Sequence, residues 1–324
     1  MSNRKIHINE GQYRLLFERS GVSDEIVKLA ESIRSEVLSL LNSNKYPSIA
    51  RWKELGISLG AEQMYPDGAT PNPDVVSYFK RYCLPLPINS IKNVDYINGI
   101  VFNAFGYNMR EVSELDAYDF LTSCMRSKGN VVGYHDPNDS TITLTLPCGI
   151  DPADGSVHFG YKSLSILNHE IKHAFQYHKS GKAKNDNIYA LSIEHDKSDK
   201  CVLNSLGISV YNLKYIYYVF DFGEIDAHLQ EIYAYIANGG GDLSSCPAYR
   251  NITWAKEKFR AIYEYYTNGR YGYAIRGLFY RIYGSDVLDK YIKHCQKGIK
   301  RFDEHLRRIV GRIHDEYPNQ KLFA

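Results

Sequence analysis

The chain has six cysteines, Cys83, Cys124, Cys148, Cys201, Cys246 and Cys295, and no two of them form a C-x-x-C pair. That spacing excludes a Cys-type zinc site and fits no disulfide framework, so reduced thiols are expected. No apolar run approaches the roughly 18 residues of a membrane span, so no membrane partner is expected. Arg4 and Lys5 are followed by no apolar stretch, which gives no reason to expect a secretory signal. An excess of either charge is also missing. The formal net charge of +2 offers no electrostatic argument for a nucleic-acid partner, and none is expected. Tryptophan is scarce at 2 residues while tyrosine reaches 28 against 13 phenylalanines, a balance that predicts amphipathic helix packing in preference to base stacking. Internal repeats and low-complexity tracts are lacking. What remains is an ordinary globular composition, 44% hydrophobic and 23% charged over 324 residues, enough for one large domain or two modest ones. The expected location is a cytoplasm, or a particle loaded there.

Against that background one stretch stands out, His169-Glu170-Ile171-Lys172-His173, an H-E-x-x-H. Residues four apart on a helix share a face, so both imidazoles can converge on one cation. Glu170 points to the side, within reach of a water and off the metal. This is the arrangement of a zinc hydrolase, with Glu170 as general base. Ile166, Leu167, Ile171, Ala174 and Phe175 recur at helical spacing and supply an apolar face. Ser163 or Ser165 is the expected cap at the start, and Gly181 the expected close. The competing reading is an exposed amphipathic helix with incidental histidines.

Around this helix the pattern is mostly helical. Residues 22–43 place Ile26, Leu29, Ile33, Val37, Leu40 and Leu41 on one face of a helix. Residues 60–74 are turn material and mark the expected boundary between an N-terminal element (1–73) and the main body (74–324). Asp74–Cys83, Val94–Tyr107 and Glu111–Lys128 read as helices. From Val131 to Leu146 the pattern changes to strand, turn, strand, with Ile142, Leu144 and Leu146 alternating with threonine as on a half-buried edge strand. An edge strand beside a zinc cleft can hold an extended peptide by main-chain pairing. Residues 180–210 are polar and read as a surface loop or lid. Residues 211–237 predict one helix or two, broken near Asp221 and Gly223 and closed by Asn238 and the glycines after it. Thr253 to His314 is helical, and its basic residues are interleaved with acids as on a solvated face.

Two histidines need a third protein ligand before water completes a catalytic tetrahedron. The extended motif with Gly and His at 176 and 179 is excluded, because Gln176 and Lys179 stand there and His178 is one residue out of place. A carboxylate on a later helix is preferred, and Glu224 fits: small Ala227 lies one turn on along the same face. Glu231 shares that face as a fallback. His195 or Asp196 of the polar loop is the remaining option. His228 is a candidate catalytic residue, as a supporting donor or a stabiliser of developing negative charge. A plainer role for Glu224 is that of an acid answering the dipole at a helix start.

The hairpin, H-E-x-x-H-A-x-Q and the later Glu224-Ile225-Asp226-Ala227 resemble the zincin metallopeptidases of the gluzincin type, over about residues 130–237. The resemblance implies Zn2+ bound by His169, His173 and Glu224, a Glu170-activated water, and a peptide or protein substrate. The usual N-E-x-x-S-D form is absent, which leaves Tyr233, His228 and the tyrosines at 215–218 open as transition-state donors. Residues Ile6–Glu18 resemble a short N-terminal segment of tailed-bacteriophage virion proteins, which implies phage virion components as partners. The expected fold is α+β and zincin-like: mostly helical, with a small edge-exposed sheet preceding the H-E-x-x-H helix.

Overall fold

A computed structural model of the chain describes residues 22–41, 85–86, 88–103, 133–145, 161–180, 203–204, 206–207, 209–268, 272–283 and 287–318. The chain divides into two compact units, residues 24–181 and residues 1–23 with 182–324. The architecture is mostly helical with one small sheet, an α+β arrangement.

In the first unit, helix α1 (Asp24–Leu41) and the H-E-x-x-H helix α2 (Tyr161–Ser180) pack together with a four-stranded sheet. The strands are β1 (Pro85–Leu86), β2 (Gly99–Asn103), β3 (Gly133–Asp136) and β4 (Thr141–Thr145), in the order β1-β2-β4-β3. Burial follows the sequence periods. Ile26, Ala30, Ile33 and Val37 come from α1, Ile100 from β2, Ile142 and Leu144 from β4, and Leu164, Leu167, Ile171 and Ala174 from α2. Ile88, Ile91 and Ile97 complete this core. Ile166 and Phe175 sit partly buried at its margin, so the apolar face expected of α2 is the face that packs.

The β3–β4 hairpin pairs antiparallel, with His135 opposite Ile142 and Gly133 opposite Leu144. Its turn is built from short polar side chains. The Asp136 carboxylate accepts from the Asn138 amide at 2.9 Å, the Asp139 carboxylate accepts from the Thr141 amide at 2.9 Å, and Ser140 takes a left-handed φ of 55°. Asn98 ties this turn to the start of β2: its amide donates to the Ser140 carbonyl (3.0 Å) and its side chain to the Asp139 carbonyl (2.7 Å). The tie sets β2 parallel to β4, Gly99 facing Thr141.

Three expectations change here. Val94–Tyr107 was expected to be helical, yet 99–103 form strand β2. Its Ile100 and Val101 are β-branched, and pairing with β1 on one side and β4 on the other satisfies the backbone as a helix would. Strand β4 is interior and β3 is the edge, and both faces of β4 are covered, since Thr143 is buried along with Ile142 and Leu144. Ser163 and Ser165 do not cap α2, which begins at Tyr161. Both are buried inside the helix, where Ser165 Oγ donates to the Lys162 carbonyl at 2.8 Å.

In the second unit, α3 (Val210–Val219), α4 (Phe222–Ala237), α5 (Pro247–Thr267), α6 (Gly272–Tyr283) and α7 (Leu288–Glu316) are the long helices among the described residues. The break expected near Asp221 is real. Ser209 and Asn212 cap α3 reciprocally, and the Asp221 side chain caps α4 by accepting from the Gly223 amide at 2.8 Å. Helix α4 is buried on nearly every side, and α7 runs along it with Tyr291, Cys295, Phe302, Ile309 and Ile313 inward. Gly298 permits a close crossing, because a Cβ there would meet the Phe220 carbonyl oxygen and lie 2.7 Å from Phe220 Cβ. No helix among the described residues is long and apolar enough to cross a membrane. The 60–74 boundary and the segments 1–20, 74–83 and 111–128 lie outside the described residues.

Gly298→Ala is expected to destabilise the protein by about 1–3 kcal/mol in urea unfolding, because the added methyl meets backbone. Gly311→Ala, on the same helix with nothing within 4 Å of the added carbon, is expected to stabilise by roughly 0.5–1 kcal/mol through helix propensity.

Candidate metal centre

The spacing His169 to His173 does in the structure what a helix requires of it. The two Nε2 atoms face each other at 3.0 Å, with the rings edge to face at a centroid distance of 4.7 Å. A tetrahedral zinc with bonds of about 2.0–2.1 Å sets its nitrogen ligands roughly 3.3 Å apart, so the pair matches two ligands to within a few tenths of an ångström. His173 Nδ1 lies 3.3 Å from Gln176 Oε1, an oxygen that can only accept. The proton therefore belongs on Nδ1, which leaves the Nε2 lone pair directed at the shared point, as metal-bound imidazoles require. Gln176 is the last residue of the H-A-x-Q extension, and this contact is its structural use.

His178 is exposed and packs beside Tyr96 at 6.1 Å between rings, apart from the histidine pair.

Glu170 is buried beneath strand β3. A Cβ at Gly133 would lie 2.9 Å from Glu170 Cγ, 2.7 Å from Ile166 Cγ2 and 2.9 Å from Leu144 Cδ2. Only glycine brings the strand backbone this close to the carboxylate arm. Two residues on, with the same strand facing, comes His135. Its ring lies 6.0 Å from that of Tyr177, and its Nε2 is covered and has no hydrogen-bond partner. Burial holds this imidazole below the usual histidine range, against the opposing pull of Asp136 and Asp139. The sequence offered one signal for His135, its even spacing from Gly133 on a strand just before the metal helix, and it was not read as a site residue.

The second unit carries the acids. Glu224 lies in the first turn of α4 and is buried, and Ala227, His228 and Glu231 follow at the spacing of one face. His228 Nδ1 and Glu231 Oε2 are 3.3 Å apart, a pairing that orients the imidazole. Behind this face, Asp226 is clamped by Arg301 of α7, whose Nη2 lies 2.8 Å from both carboxylate oxygens. Burial raises the Tyr215 hydroxyl above the usual tyrosine range, and the nearby Glu224 and Glu231 charges add to the rise, although Asn251 donates to it. Cys246 is buried near Glu231, and its thiol is pushed up to about 12.

Among the open transition-state donors, Tyr233 is committed elsewhere. It donates to Glu316 at 2.6 Å and lies under the Arg312 guanidinium at 4.3 Å, and burial followed by the Glu316 bond drives its pKa far up. Tyr217 is buried and stacks on His294 at 3.8 Å. The structure thus gathers His169, His173 and Glu170 on one helix of the first unit, and Glu224, His228 and Glu231 on one helix of the second. His195 and Asp196 lie outside the described residues.

No protein-family model, characterised protein or solved structure matches the chain.

The Gly133 contact gives a prediction. Gly133→Ala is expected to cost about 1–3 kcal/mol in urea unfolding, since three side chains must yield at once. Gly133→Ala combined with Ile166→Ala, which removes the Cγ2 methyl that the new carbon would meet, is expected to cost less than the sum of the two single changes.

Proposed function

We propose that the chain is a zinc-dependent metallopeptidase of the zincin type. The observation that carries this reading is the facing pair of His169 and His173 Nε2 atoms at 3.0 Å, with Glu170 on the same helix under an edge strand. The donor set fits zinc, which takes two imidazoles and a carboxylate in catalytic sites. We assign His169, His173 and Glu224 as the protein ligands. A bound zinc supplies Lewis acidity, lowering the pKa of water toward neutrality and polarising a carbonyl.

The remaining work falls to side chains of this protein. Glu170, as general base, takes a proton from the attacking water and passes it to the leaving amine. Its burial beneath β3 keeps the carboxylate from bulk water. The outer edge of β3 has no strand partner among the described residues, so its main-chain groups can pair with an extended peptide or protein substrate. His228, oriented by Glu231, is the proposed auxiliary donor on α4.

A second reading rests on the likeness of Ile6–Glu18 to phage virion segments: a zincin-fold component of a phage particle, with a structural metal and virion proteins as partners. That segment lies outside the described residues. A cytoplasmic protein, free or packaged in such a particle, fits both readings.

Zinc per chain should be measured beside turnover of a peptide library. The wild type is expected to hold one zinc, His173→Ala and Glu224→Ala to lose or weaken it, and Glu170→Gln to keep it. In Glu170→Gln turnover should fall by at least about 100-fold. Wild-type turnover in Glu170→Gln would sink the mechanism. Zinc that raises the melting temperature of a protein inert on every peptide would favour the structural-metal reading. A zinc-free preparation with unchanged melting after chelation would leave a helical binding protein.

A further inference from the structure

The peptidase reading places one auxiliary donor, His228, on α4, and the first unit holds a second group suited to stabilising the transition state. Strand β3 directs Gly133 and His135 to the same side, since strand side chains alternate. That side faces α2: Gly133 meets Ile166 and Glu170, and the His135 ring lies beside Tyr177. On α2, residues 166, 170, 173 and 177 form one stripe along the helix. The strand therefore runs from the proposed general base toward the second histidine of the pair. His135 sits at the far end of that run, beside Tyr177, which lies one helical turn on from His173.

Two features separate this imidazole from a packing residue. Its Nε2 is covered and has no hydrogen-bond partner, a loss that Phe or Leu beside Tyr177 would avoid. It also lies on the edge strand of the sheet, where an extended chain paired to β3 must pass it.

We propose that His135 is a catalytic residue of the peptidase reaction, its Nε2–H donating a hydrogen bond to the scissile carbonyl oxygen as negative charge develops there. A neutral imidazole is the right donor for this position, because it adds no second positive charge beside the zinc. Waiting unpaired, it gains its partner only when substrate arrives, so the bond strengthens along the reaction. The proposal rests on the metallopeptidase reading and uses groups of the first unit alone.

The test compares wild type, His135→Phe and His135→Gln in zinc content, thermal melting and steady-state kinetics on one cleaved peptide. His135→Phe is expected to keep its zinc, to melt at or above the wild-type temperature, and to lose about 100-fold in kcat. His135→Gln, which retains an N–H near the same place, should regain part of kcat. A His135→Phe kcat within about threefold of wild type, or a loss carried wholly by KM, overturns the proposal. Loss of zinc from His135→Phe overturns it too, by making His135 part of the metal's support. If His135→Phe does not fold, His135→Leu carries the same readouts, and failure of both assigns a packing role and overturns it. Wild-type protein without zinc or turnover removes the peptidase reading and this inference together. An active wild type with an unimpaired His135→Phe removes this inference alone.

Discussion

Strand β3 rests on helix α2 at a separation that leaves no room for one methyl group at residue 133. Much of the first unit follows from that contact. A buried carboxylate is costly unless its surroundings are polar, and the bare backbone of the strand is the neighbour that Gly133 brings to Glu170. The same contact fixes which way β3 faces, and so puts His135 over the turn of α2 that carries His173 and Tyr177. The hydrophobic side of α2, from Leu164 to Ala174, holds the helix to α1 and β4, so the polar side is positioned without flexible links.

Much of this was legible in the sequence for physical reasons. The i, i+4 histidines and the i, i+3, i+4 apolar residues of α2 share one periodicity, and a helix expresses both. The Asp136–Ser140 turn has short polar side chains that bond their own backbone, a local effect that depends on no distant partner. The helix break at Asp221 was legible for the same reason, since an aspartate followed by Phe222 and Gly223 caps its own helix. Strand β2 was not legible. Gly99–Asn103 pairs with residues about forty positions away, and local periodicity carries no information on such partners. The interior place of β4 was missed similarly: Thr143 looked solvent-facing until the sheet covered it. His135 went unread because its one signal, the even spacing from Gly133, gains meaning only once Gly133 is seen against Glu170.

In the second unit, α4 is buried on nearly every side, and three of its polar residues meet named partners. Asp226 meets the Arg301 fork, His228 meets Glu231, and Tyr233 meets Glu316 and Arg312. The pairings of Asp226 and Tyr233 reach across to α7, so rotation of α4 about its axis would break both of them at once. Rotational locking matters for any function that needs Glu224 and His228 to face one direction. Gly298 on α7 lets that helix come close to Phe220, just ahead of α4.

The sheet order has a practical consequence for anyone dividing the molecule. Strand β2 precedes the hairpin in the chain but sits against β4, matched over five residue pairs. A fragment beginning at Gly133 would keep the hairpin and the H-E-x-x-H helix, yet it would strip β4 of that neighbour. It would then present an unpaired row of backbone donors and acceptors beside Ile142 and Leu144. Such an edge invites pairing between copies and precipitation. The motif helix cannot be carried away with its hairpin alone, and the shortest soluble piece has to reach back through Gly99–Asn103 to α1.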